Sequence, residues 1–120
     1  MGSFSGTDVA LGTLLRVVET GPRAFRLVGE LDVSVTGRLE ELLAPQLASP
    51  GDLTLDLRRV EFMDSAGIHL FINAATALDG RGNLRLLDPG SNVARVIETT
   101  GLEGLHNLVV VRGGDGHHPR

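Results

Sequence analysis

Residues 53–74, LTLDLRRVEFMDSAGIHLFINA, carry two periodicities that meet at one point. Leu53, Leu55 and Leu57 alternate with Thr54 and Asp56, the two-residue period of a strand with one buried face. From Ser65 onward the period lengthens to that of a helix. At about 100° per residue, Ile68, Phe71, Ile72, Ala75 and Leu78 fall within one arc. A strand running into a helix is the unit of a sheet with helices packed on it. Between the two lie Asp64, Ser65, Ala66 and Gly67: a carboxylate, a hydroxyl, a small residue and a glycine.

The same rhythm extends outward. Upstream, GTLLRVVET (12–20) and AFRLVGE (24–30) read as two strands joined through the glycine and proline of TGPR, a hairpin. VTGRLEELLAPQLAS (35–49) places Val35, Leu39, Leu42, Leu43 and Leu47 on one helical face. Pro45 cannot donate to the carbonyl of Glu41, so a kink or an early end is expected there. Downstream, RGNLRLLD (81–88) is a strand and SNVARVIETTG (91–101) a short helix. Ser91 is placed to cap that helix and Gly101 to stop it. LHNLVVV (105–111) is a last strand. The expected fold is α/β, a mixed sheet opening with a hairpin and continuing by strand–helix alternation, with about three packed helices. The domain is expected over residues 11–112, between a flexible N-terminus (1–10) and a flexible C-terminal tail (113–120), since MGSFSGTD and GGDGHHPR hold nothing periodic to pack.

Composition narrows the chemistry. With 120 residues, 42% hydrophobic and 22% charged, the chain fits one domain that buries a core without staples. The formal net charge is -4, which gives no basic footprint for nucleic acid or for an anionic membrane surface. Every basic residue is arginine and there is no cysteine. Lysine Schiff bases, a P-loop lysine, disulfides and thiolate chemistry are therefore excluded. No signal pattern or membrane-length apolar run is visible, so a cytoplasmic location is expected. His117 and His118 lie in an unanchored tail and supply too few ligands for a metal site. No metal, cofactor or catalytic residue is assigned.

The helix after Ser65 is apolar nearly all round. Opposite its sheet-facing arc lie Ala66, Leu70, Ala74 and Ala77, and only His69, Asn73 and Thr76 make a polar strip. A surface helix normally carries a charged face, yet no charged residue occurs from Ser65 to Leu78. A second layer of the same domain could cover this side. A partner protein is the reading preferred here, with the small residues beside Ser65 letting another surface approach.

Ser65 has three readings. It could cap the helix, a role that Asp64 could fill equally well. It could be a nucleophile with His69 one turn on as base, giving a serine hydrolase. The motif lacks the flanking glycines of a nucleophile elbow. It could be a switch, because a phosphate of about −1.5 to −2 charge would transform an uncharged surface.

LVGELDVSVTGRLEELL (27–43), LTLDLRRVEFMDSAGIHLFINA (53–74) and ARVIETTGLEGL (94–105) resemble, in order, segments of the STAS domain, named for sulphate transporters and anti-sigma factor antagonists. The likeness spans roughly residues 11–111 and is strongest to the bacterial anti-sigma factor antagonists. It implies a non-enzymatic protein that binds an anti-sigma factor serine kinase and so releases the sigma factor. It further implies phosphorylation at Ser65 by that kinase, which inactivates the antagonist, and a serine phosphatase that restores the residue. Asp64 matches the acid before the serine, and Asp32 of the GELD turn matches an aspartate near the phosphorylated loop. Ala66 replaces a second hydroxyl common in relatives, leaving Ser65 the one acceptor of the motif. His69 stands where relatives tend to have a small residue. Asp32, Asp64, Ala66, Gly67, His69, Leu70, Ala74 and Ala77 are expected at the partner surface. The alternative within the family is a constitutive STAS scaffold or an accessory subunit of a transport system.

Overall fold

The computed structural model describes residues 8–112. Its strands are β1 (Asp8–Leu11), β2 (Leu15–Gly21), β3 (Ala24–Leu31), β4 (Leu53–Met63), β5 (Leu84–Leu87) and β6 (Leu108–Val111). They form one sheet in chain order. β1, β2 and β3 pair antiparallel, while β3 to β6 pair parallel. Each parallel step needs a crossover, supplied in turn by α1 (Val33–Leu47), α2 (Ser65–Leu78) and α3 (Ser91–Thr100). The expected mixed sheet with three helices is what the chain forms.

One face of the sheet is dry. Val17, Leu27, Leu55 and Leu86 are fully buried there, in one core with Leu39 of α1, Phe71 of α2 and Ile97 of α3. The alternate residues Val28, Thr54 and Leu87 are only half-buried. The helices thus pack on a single face, and period-two alternation in the strands follows from that asymmetry.

The sequence reading differs from the structure in three places. β1 begins at Asp8, ahead of the expected domain start, so the sheet opens with two hairpins rather than one. The remaining expectations for the ends, and the His117–His118 pair, fall outside the described residues. Pro45 does not break α1 where it stands. It sits in the last turn, and the helix ends two residues later at Leu47. Ser91 is the first residue of α3, and Gly90 holds the cap position without a side-chain bond. Gly101 does stop α3, at a left-handed φ of 72°.

Gly29 fixes how β3 leaves its hairpin. Its φ is 124°, and a Cβ there would lie 2.0 Å from the carbonyl oxygen of Leu14. The next amide, of Glu30, donates to that oxygen at 2.9 Å. Only glycine permits this approach. At the opposite end of the sheet, the Arg81 guanidinium donates to the carbonyls of Leu47, Ala48 and Ala77, tying the ends of α1 and α2 together.

Candidate functional site

β3 and β4 end in step. Leu31 and Met63 are register partners, and the amide of Asp64 donates to the carbonyl of Leu31 at 3.2 Å. The next residue on each strand is an aspartate in extended conformation that caps a helix. Asp32 Oδ1 accepts from the Ser34 amide at 2.9 Å and from the Ser34 hydroxyl at 2.6 Å. Asp64 Oδ1 accepts from the Ala66 amide at 2.8 Å. Two helix starts, each with free N–H groups and a partial positive charge, therefore stand side by side at one end of the sheet.

This arrangement decides the capping role. Asp64 caps α2, so Ser65 is left as the first helical residue, exposed. Among the described residues its hydroxyl makes no hydrogen bond. His69, one turn on, is also exposed and does not bond to Ser65. A Ser–His nucleophile thus lacks the contact that would activate it. The first turn of α2 holds no acidic residue.

Three residues expected at an open surface are not on one. Leu70 and Ala74 are 1% and 2% exposed. The reason is α1: Leu43 and Leu47 meet Leu70 and Ala74 across a common groove, and Asn73 donates to Glu40 over its rim at 3.3 Å. The neighbouring helix α1, in the same layer, covers this side of α2, which explains a helix apolar on two faces. Gly67 is also buried, and a Cβ there would fall 2.4 Å from Met63 Cγ and 3.4 Å from Leu31 Cβ. It is glycine so that the first turn of α2 can press onto the ends of β3 and β4. Ala66 and Ala77 are half-buried.

The surface that α2 does present is the polar strip. Ser65, His69, Asn73 and Thr76 are exposed, with Ile72 half-exposed beside them. Asp32 and Asp64 are half-buried at its head. Two apolar residues that sequence reasoning does not single out also stand at this end. Val33 and Phe62 are 75% and 48% exposed. The signal for them is weak, because Phe62 sits in a strand whose alternation is disturbed by register shifts between β3 and β4.

A family model described as the STAS domain matches residues 15–109. An anti-sigma-B factor antagonist of Staphylococcus epidermidis is 37% identical over 82 residues, 67% of this chain and 76% of the relative. The anti-sigma-B factor antagonist of Staphylococcus aureus strain NCTC 8325 / PS 47 matches to the same extent. Among solved structures, the anti-sigma factor antagonist SpoIIAA in its unphosphorylated form superposes with a TM-score of 0.62 at 19% identity, covering 93% of this chain and 92% of that one. An anti-sigma factor antagonist from Mycobacterium paratuberculosis gives 0.65 at 23% identity, over 88% and 84%. The two structures share the fold.

Proposed function

The chain belongs to the STAS domain family, and from that premise we propose that it is an anti-sigma factor antagonist switched at Ser65. Unphosphorylated, it binds an anti-sigma factor serine kinase and frees the sigma factor. That kinase phosphorylates Ser65 and ends the association, and a serine phosphatase restores the hydroxyl. The protein itself is not an enzyme, and the cycle runs in the cytoplasm. No helix among the described residues is long and apolar enough to cross a membrane.

The observation that carries this reading is the division of labour at the start of α2. Asp64 makes the cap bond, so the exposed Ser65 hydroxyl has no structural task. A phosphate there would meet the positive end of the helix, a gain of about 0.3–1 kcal/mol at an exposed site. Asp64 next door opposes it. The fold therefore tolerates the modification. A docked partner does not, because it would have to bury a dianion. Asp32, His69, Ala66 and Ala77 remain in the proposed surface, together with Asn73 and Thr76. Leu70, Ala74 and Gly67 support it from beneath.

The test is phosphate transfer from labelled ATP, using purified candidate serine kinases of the same genome. Label is expected on the wild type and none on Ser65→Ala. A scaffold or transport accessory subunit would take no label, and a hydrolase would turn over activated esters in a manner lost with His69→Ala.

A further inference from the structure

Three large apolar residues are exposed in the described chain: Val33, Phe62 and Val109. Val109 lies level with Thr54 across β5 and β6, near the start of β4. Val33 and Phe62 instead stand at the end where β3 and β4 deliver their aspartates. Val33 directly follows Asp32, and Phe62 lies two residues before Asp64.

Neither residue is explained by the fold. The first position of a helix favours an acidic side chain or proline over a β-branched apolar one. Val33 occupies it with three-quarters of its surface in water. Phe62 is paired in register with Glu30, which offers its ring no apolar cover. Its neighbour Met63 turns into the core, so Phe62 points to the other side of the sheet.

Four carboxylates gather at this end, with the exposed Arg59 the nearest cation along β4, three residues before Phe62. Glu30, Asp32, Glu61 and Asp64 border the two residues, and among the described residues none of the four is in an ion pair. We propose that Val33 and Phe62 are the apolar anchors of the docking surface around Ser65, and that the partner meets them with an apolar recess rimmed by arginine or lysine. The proposal rests on the antagonist reading and adds where binding energy is concentrated. Apolar anchors would be taken from water on docking. The ring of unpaired carboxylates selects a basic rim and speeds the encounter. It also sharpens the switch, since a phosphate on Ser65 adds charge to a surface already negative.

The experiment uses the kinase that labels Ser65 as the probe. Affinities are measured by calorimetry for wild type, Val33→Ser, Phe62→Ser and Val109→Ser, with melting curves alongside. The first two variants should bind at least about tenfold more weakly with wild-type melting, and Val109→Ser should bind normally. Wild-type association should slow with added salt. If Phe62→Ser melts early, Phe62→Leu replaces it, and a smaller but measurable loss is expected. Anchor variants that label at Ser65 and bind within twofold of wild type would overturn the anchors and leave the antagonist reading standing. If no kinase labels wild-type Ser65, the antagonist reading fails and takes the anchors with it.

Discussion

Asp32 and Asp64 perform the same task one strand apart. Each follows a residue of the Leu31–Met63 register pair, and each turns a carboxylate oxygen onto an amide of the helix behind it. The pairing brings the beginnings of α1 and α2 to one place. It also places a second carboxylate beside the helix start that carries Ser65.

Asp32 therefore has a part that asparagine can keep and a part it cannot. Asp32→Asn preserves a capping oxygen, so its melting temperature should stay near wild type. Removal of the charge should slow phosphorylation of Ser65 by the kinase. Asp32→Ala should in addition lose about 0.5–2 kcal/mol of stability. Stopped-time labelling and melting curves on both variants separate the two parts.

Gly67 is a packing residue. A methyl at that position meets the buried side chain of Met63 well inside contact distance. Gly67→Ala should destabilise the domain by about 1–3 kcal/mol, the usual cost of overpacking, despite a better helix former in the first turn. Urea unfolding measures it.

The two long sides of α2 should respond oppositely to charge. Ala74→Glu places a carboxylate between α1 and α2, where Ala74 is buried, and should unfold the domain or cost several kcal/mol. Thr76→Glu, on the exposed strip, should change stability by no more than about 0.5 kcal/mol. Circular dichroism melts on the pair give the comparison directly.

Much of this was legible in the sequence. The alternation of Leu53, Leu55 and Leu57 and the stripe from Ile68 to Leu78 are surface-area effects, strong enough to read without tertiary information. The family likeness supplied Ser65, Asp64 and Asp32. The orientation of α2 was not legible, because Leu70 and Ala74 look the same whether a partner or α1 covers them. Nothing in α1 decides between them, since five apolar positions over about four turns are no more than one core-facing stripe requires. β1 is not legible because its residues Asp8–Leu11 adjoin a Gly/Ser-rich stretch and are too few to show a period of their own. Val33 and Phe62 emerge only from their exposure in the fold, since apolar residues near strand and helix ends are normally inside.

Arg81 should be worth more than a surface arginine. Its guanidinium bonds three helix-terminal carbonyls, at 3.1, 2.8 and 2.6 Å. These are charge-assisted bonds, though solvent-exposed. Arg81→Ala should lower stability by about 1–2 kcal/mol, and Lys should restore only part of it, because a single ammonium lacks the planar fork. Phosphorylation of Ser65, at the other end of the sheet, should be unaffected in both.

The central claim is that Ser65 is a switch and not a cap, and the most direct measurement is the affinity of Ser65→Ala and Ser65→Asp for the anti-sigma kinase. Asp64 already holds the cap bond, so both variants should melt close to wild type, within about 1 kcal/mol. Calorimetric titration should find Ser65→Ala binding as tightly as unmodified wild type. Ser65→Asp should bind at least about tenfold more weakly, a difference of about 1.4 kcal/mol. Equal affinities in two folded variants, or tighter binding by Ser65→Asp, would contradict the switch.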